Sequence, residues 1–452
     1  VQLNPASFRD PDGAVFSKDG KIFRAINMSY KNDYRMLLDS GLYSALTERS
    51  LLIPHEEVEN NDPKRYKVIK PKKIGFISYP YEWCFSQFKS AALVTLEIQK
   101  IALDYDMSLK DASAYNIQFL DGRPIMIDTL SFEKYQAGKP WVAYKQFCQH
   151  FVSPLILAST LDVRLSQLMK LFIDGIPVDL TSKMLPARSR LNLSHLIHVH
   201  LHAGSQSRHK DRAQAKKGTG FSRQAMRGLL DSLERMIKKI HLRNDRSFWR
   251  SYYQNTNYSD AAFHQKKQLV EGYVRQLSPA TIWDLGANVG LFSELVAGLG
   301  AQVVAFELDP LTVEAHYRHC QESKITNILP LVMDLTDPSP NIGWQNKERK
   351  TMFERGPADL VLALALIHHL AIANNIPLKG LARFFSRLGR NLIIEFVPKN
   401  DSQVQRLLRF RQDIFPDYNI TEFELVLSEY FEVVEKQAIA GSERILYLMR
   451  SK

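Results

Sequence analysis

The stretch TIWDLGANVGLFSELVAGLG, Thr281 to Gly300, decides the fold of the C-terminal half of this chain. Thr281 to Leu285 reads as a buried strand. It breaks at Gly286-Ala287-Asn288-Val289-Gly290 and continues as a helix. The glycines let the backbone turn sharply and approach a ligand closely, and the helix start turns free N–H groups toward that ligand. A second strand, AQVVAFELDP, ends in Glu307, 17 residues after Gly290. Strand, glycine turn, helix, strand and terminal acid in register predict a parallel α/β sheet with a Rossmann-like site, the acid facing ribose hydroxyls.

The turn is not the Gly-x-Gly-x-x-Gly of a pyrophosphate binder. It runs Asp284-x-Gly286-x-Asn288-x-Gly290, and an acid ahead of the first glycine suits a cation better than a phosphate. This resembles motif I of class I S-adenosylmethionine-dependent methyltransferases. The resemblance implies cofactor contacts at Asp284, Gly286, Ala287, Asn288, Gly290, Glu307 and Leu308. LPLVMDL resembles the strand whose trailing acid, here Asp334 aided by the Leu335 backbone, approaches the adenine amine. ADLVLALALIHHL is similar to the fourth strand, with His368 and His369 at its end, and RNLIIEFVPKND to the fifth, ending at Glu395. FEVVEKQAIAGSERILYLMR is similar to the closing antiparallel hairpin of that fold. The match covers 246–452. The wording GWQNKER, IEFVPKND and RQDIFPDY further resembles methyltransferases known as host-specific nodulation proteins, whose acceptor the resemblance does not name.

Methyl transfer aligns an acceptor with the methyl carbon and, for many acceptors, removes a proton. His368, His369 and Glu395 are the catalytic candidates, standing where ligands gather in open α/β sheets. The bland alternatives are a histidine that only orients a loop and a carboxylate that pins one. No Asn/Asp-Pro-Pro-aromatic motif and no Pro-Cys follows strand four. Exocyclic amine or amide methylation and the covalent cytosine-C5 route therefore lack support; O-methylation of a small molecule or glycan is favoured, and a larger acceptor stays open.

Upstream, DASAYNIQFLDGRPIMID (Asp111 to Asp128) holds an Asp, four residues, an Asn, a short hairpin and another Asp. In kinases that spacing brings a base and two metal ligands to one phosphate. IGFISYPYEW reads as a hinge strand and SQFKSAALVTLEIQKIALDYDM as a long helix. Roughly 1–200 resembles aminoglycoside-phosphotransferase-like kinases, which implies a nucleotide and Mg-ATP site at Asp111, Asn116 and Asp128. The departures are serious. Leu109-Lys110 and Thr129-Leu130 replace the usual flanks, only Gly13 and Gly20 lie in 5–24, and Arg24, with Glu48 as its expected partner, stands for the β3 lysine. An unrelated α+β domain with a chance Asp-x4-Asn is the alternative.

The expected architecture is multidomain: a two-lobed α+β kinase-like domain with its N-lobe at 1–85 and helical C-lobe at 86–203, a basic linker and amphipathic helix at 204–245, and an α/β Rossmann-like class I methyltransferase domain at 246–452. The helix should bury Met226, Leu230, Leu233, Ile237 and Ile240. Residues 1–85 should hold short strands and a helix near 32–50. The net charge is +11, yet from Arg246 onward 23 basic residues balance 23 acidic ones, while 160–245 holds 16 against 7. This predicts an anionic partner at 160–245; nucleic acid is open but not favoured. Cys84, Cys148 and Cys320 are widely spaced, with no zinc pattern, which fits a cytoplasmic protein. The longest apolar stretch is too short to insert in a membrane, and the charged, turn-rich start is no signal peptide. Three functions compete: a methyltransferase whose N-terminal domain recruits or positions the unidentified methyl acceptor, a bifunctional kinase-methyltransferase, and a non-catalytic scaffold.

Overall fold

Asp19 and Gly20 both adopt left-handed backbone angles (φ 51° and 70°). That is the two-residue turn whose twist matches a right-handed hairpin, and it joins β2 (Gly13–Lys18) to β3 (Lys21–Asn27). With β1 (Gln2–Leu3), β4 (His55–Val58) and β5 (Arg65–Pro71) they form an antiparallel sheet ordered β1-β2-β3-β5-β4. The structure, a computed structural model, describes residues 2–60, 62–201, 220–242, 259–409 and 411–452. It divides into two units, Val1–Arg243 with Asn341–Arg349, and Asn244–Pro340 with Lys350–Lys452. Of the expected linker, 204–219 lies outside the described residues, as does 243–258.

In the first unit the single helix expected near 32–50 is two, Lys31–Asp39 and Leu42–Glu48, parted at Gly41 (φ 86°). The expected hinge strand is absent. The Ser78 N–H donates to the Gln118 side-chain oxygen (2.9 Å), and the Gln118 amide donates to the Ser78 carbonyl (2.9 Å). A side-chain amide thus takes the place of a neighbouring strand, and a turn at Pro80–Glu82 follows. The long helix is Phe85–Asp104. Beyond it β6 (Met107–Leu109) pairs with β9 (Phe132–Lys134), and β7 (Ile117–Leu120) with β8 (Arg123–Met126) across a second left-handed turn, Asp121-Gly122.

The helix Arg223–Lys239 buries Met226, Leu230, Leu233, Met236 and Ile237, and Ile240 just beyond it is buried too. Its basic face is less free than the charge count implied. Arg223 pairs with Asp106, Arg227 with Asp104, and Lys238 with Glu234 (2.7 Å). No helix among the described residues is long and apolar enough to cross a membrane.

The second unit is one seven-stranded sheet: β10 (Thr281–Leu285), β11 (Gln302–Glu307), β12 (Ile328–Val332), β13 (Ala358–Ala363), β14 (Gly389–Phe396), β15 (Phe431–Ala438) and β16 (Ile445–Ser451). The order is β12-β11-β10-β13-β14-β16-β15. The first five are parallel, and β16 runs antiparallel to both its neighbours. Ile282, Val303, Leu360, Ile393 and Leu448 pack one face, while Trp283, Val304, Phe306, Val361 and Ile394 are buried on the other. Burial on both faces is why these strands read as continuous apolar runs. The chain winds from β10 out to β12, then returns to β13 on the other side of β10. That reversal opens a crevice at the C-terminal ends of β10 and β13, where such sheets bind ligands.

The segment Asn341–Arg349 falls within the stretch expected to be methyltransferase, yet it groups with the first unit. The Arg9 fork donates twice to Glu348 (2.6 and 3.0 Å), the Trp344 N–H donates once more (2.6 Å), and the Arg349 guanidinium lies 4.2 Å over the Tyr115 ring. Arg9→Ala strips the buried Glu348 carboxylate of its cation. Amide exchange across 342–349 is expected to quicken by about tenfold or more, with Arg9→Lys recovering only part because it lacks the fork. Unchanged exchange would show that Arg9 does not hold the segment.

Candidate functional site

The crevice starts with the turn after β10. Gly286 (φ 72°), Asn288 (φ 53°) and Gly290 (φ 87°) are left-handed. The Gly286 and Ala287 N–H groups both donate to the Phe306 carbonyl (2.9 and 3.0 Å), which sets the turn against the end of β11. Glu307 completes the tie: its carboxylate accepts from the Asn288 N–H (3.0 Å) and from the Leu308 and Asp309 N–H groups (2.7 and 3.2 Å). A Cβ at Gly290 would lie 2.0 Å from His316 Nε2, and one at Gly286 would lie 3.1 Å from Leu366 Cδ1. Gly290 is therefore required twice, by its backbone angle and by the imidazole behind it.

Asp284 is 2% exposed and accepts a hydrogen bond from the Ser293 hydroxyl (2.6 Å). Burial pushes its pKa up to about 6 against that bond, so a cation placed beside it gains by keeping it ionised. Asp334, half-buried, follows β12 and accepts from the Thr336 N–H (2.8 Å) and hydroxyl (2.6 Å); Leu335 is half-buried and Leu308 is exposed. These residues all stand at the C-terminal ends of β10, β11 and β12. Acids at the ends of three neighbouring strands and a glycine turn with no room for side chains suit a ligand with positive charge, such as the amine and sulfonium of S-adenosylmethionine.

The catalytic candidates separate. His368 is 1% exposed, and its Nδ1 has no hydrogen-bond partner among the described residues. Burial lowers its pKa to about 3. The His369 ring lies tilted at 39° to it, with ring centroids 4.2 Å apart, and is exposed. Protein crowds the His369 ring enough to lower its pKa too, so the imidazole is neutral and open. Glu395 does not fit the expected role of base or acceptor ligand. It is fully buried, and its Oε2 accepts from Lys266 Nζ (2.6 Å) and the Ala365 N–H (2.8 Å). Arg444 lies 3.5 Å from its other oxygen. Sequence reasoning missed Lys266, Arg444 and His316. Lys266 left a signal: it sits on the apolar stripe Ala262, Lys266, Val270, Tyr273, Val274 of the helix Asp260–Leu277.

In the first unit Asp111, Asn116 and Asp128 are brought together. The Asn116 amide donates to Ser131 Oγ (3.2 Å), and that hydroxyl donates to Asp128 (2.8 Å). Burial, then the charge of Asp128, raises the Asp111 pKa, while hydrogen bonds from Asn116 and Gln146 oppose the rise. Arg24 pairs with Asp128 (2.5 Å) and Asp10 (2.6 Å), not with Glu48 as expected. A guanidinium thus holds the carboxylate that a metal would need. No cluster of three or more His, Cys, Asp or Glu among the described residues is arranged to hold a metal ion.

The chain is 36% identical over 455 residues to nodulation protein NoeA of Rhizobium meliloti (strain 1021), a match covering 98% of this chain and 94% of that protein. It belongs to the NoeA family. No family model matches the chain. Among solved structures, the bifunctional kinase-methyltransferase WbdD aligns at 18% identity over 42% of this chain and 41% of that one, with a TM-score of 0.30. Magnesium protoporphyrin IX methyltransferase (ChlM) from Synechocystis PCC 6803, with bound SAH, aligns at 19% over 45% and 93%, with a TM-score of 0.32. The fold of this NoeA homologue is read from its own strand order, five parallel strands closed by an antiparallel hairpin, as the resemblance to class I methyltransferases implies.

Gly290→Ala forces the turn or His316 to move. S-adenosylhomocysteine affinity by calorimetry is expected to fall about tenfold or more, with partial recovery in Gly290→Ala/His316→Ala, where room returns but left-handed strain stays. S-adenosylmethionine affinity should also fall about tenfold between pH 7 and pH 5 as Asp284 takes up a proton, a dependence that Asp284→Asn should abolish along with most of the affinity. A flat wild-type profile would separate Asp284 from the cofactor.

Proposed function

We propose that this NoeA-family protein is an S-adenosylmethionine-dependent methyltransferase acting on an oxygen of a small molecule or glycan, with the first unit recruiting or positioning that acceptor. The observation that carries this is the Asp284–Gly290 turn bound through Glu307 to the end of β11, in a sheet of methyltransferase order. When bound, S-adenosylmethionine supplies an electrophilic methyl group on a sulfonium.

The chain's own residues do the rest. The N–H-lined glycine turn and Asp284 hold the amino-acid end, Glu307 the ribose and Asp334 the adenine side. His369 accepts the acceptor's hydroxyl proton. Its ring is exposed, neutral at pH 7 and hydrogen-bonded to no group among the described residues, as a base facing an incoming hydroxyl must be. His368, buried beside it, positions the ring by close contact at 4.2 Å between centroids.

Phosphoryl transfer by the first unit finds less support. Asp128 would have to give up Arg24 before binding a metal, and an arginine cannot release the pair by deprotonating. The scaffold alternative leaves Asp284, Glu307 and the glycine turn without a purpose.

Cell extract supplied with methyl-labelled S-adenosylmethionine and the protein should yield a labelled product, with the label on oxygen. His369→Ala is expected to slow that labelling about 10²–10⁴-fold while calorimetric affinity for S-adenosylhomocysteine stays within about twofold. Equal loss in both measurements would make His369 a cofactor ligand rather than a base.

A further inference from the structure

Lys266 and Glu395 form an ion pair in the interior of the second unit, with side chains 3% and 0% exposed. Burying two charges is costly, and two apolar side chains of the same volume would hold a core as well or better. What an apolar pair would lack is an acceptor for the Ala365 N–H, which Glu395 Oε2 takes at 2.8 Å. Ala365 needs that acceptor. It is a non-glycine residue in the left-handed region (φ 50°), a conformation that persists only where its surroundings impose it.

Two further contacts make the position of Ala365 consequential. Leu366, the next residue, packs on the cofactor turn so closely that a Cβ on Gly286 would stand 3.1 Å from its Cδ1. The same turn ends in His368 and His369, and the His369 N–H donates to the Leu366 carbonyl (3.0 Å). Lys266 faces both sides of this junction. Its ammonium pairs with Glu395, lies 4.9 Å over the Phe292 ring just after the glycine turn, and feels the charge of Asp284. Arg444, anchored on Asp401 (2.7 Å), balances the far oxygen of Glu395.

We propose that Lys266 and Glu395 are positioning residues that hold the histidine-bearing turn after β13 against the cofactor turn, so that filling the cofactor site orders the acceptor side. The inference rests on the methyltransferase reading. Glu395 acts through the Ala365 N–H and Lys266 acts by keeping the Glu395 carboxylate on that N–H. Without Lys266 the nearest remaining cation is Arg444, on the opposite oxygen, and the carboxylate is drawn off Ala365.

The test is amide exchange across 365–369 in the full chain, with and without S-adenosylhomocysteine, whose binding is followed by calorimetry. In the wild type the ligand should slow exchange in this turn by about tenfold or more. Lys266→Met/Glu395→Leu removes both charges, so nothing charged is left unpaired and β10 and β11 should stay protected. Its turn should nevertheless exchange about tenfold faster, with the response to ligand lost. Lys266→Met/Glu395→Gln restores a neutral acceptor for the Ala365 N–H and should bring exchange back to within about threefold of wild type. If the ligand binds and the Leu variant keeps wild-type exchange and ligand response, the inference is wrong and the methyltransferase reading stands. If the Gln variant behaves like the Leu variant, the hydrogen bond to Ala365 is not what holds the turn. If the wild type binds no S-adenosylhomocysteine, the methyltransferase reading fails and this inference with it.

Discussion

The Glu307 carboxylate takes one hydrogen bond from the backbone of the glycine turn and two from the residues that follow it. Burial raises its pKa, and those three N–H groups pull it back. Asn288 is left-handed and exposed, and its N–H has an acceptor within the chain. Glu307 supplies that acceptor from the neighbouring strand. The turn is thereby fixed to the end of β11, and the helix that starts at Leu291 is aimed with it. Gly290 can then lie against His316, Gly286 against Leu366, and Asp284 beneath Ser293. With the Phe306 carbonyl, which accepts from Gly286 and Ala287, this carboxylate ties the turn to the end of the neighbouring parallel strand.

Charge is handled differently in the two units. In the second, Lys266 is paired with Glu395 and Arg444 with Asp401, while burial raises the pKa of Asp284 at the end of β10, an arrangement suited to a cationic ligand. In the first, Arg24 lies between Asp10 and Asp128 and supplies positive charge from within the chain. Asn116 reaches Asp128 through the Ser131 hydroxyl, and Arg24 pairs with that same acid at the end of the hairpin.

Much of the second unit was legible in the sequence. Thr281–Leu285 and the strand ending at Glu307 fall where the apolar runs and the glycine turn placed them, because strands buried on both faces carry a continuous signal. The stripe from Met226 to Ile240 was legible for a similar reason: a helix with one buried face repeats every three or four residues. The hinge strand was misread because Gln118, forty residues away, satisfies the Ser78 backbone with its side chain. Glu395 looked like a free acid at a strand end, and only Lys266, from a helix 129 residues earlier, makes it an anchor.

By itself the sequence determined the sheet, the glycine turn and the acids that flank it, since these depend on local backbone geometry and on apolar patterns a few residues long. The tertiary structure alone decided which histidine is open, which carboxylate is locked, and which unit holds Asn341–Arg349. Those outcomes turn on partners brought together from distant parts of the chain. A buried carboxylate and an exposed one have the same letter, and only the charge packed against each of them separates their chemistry.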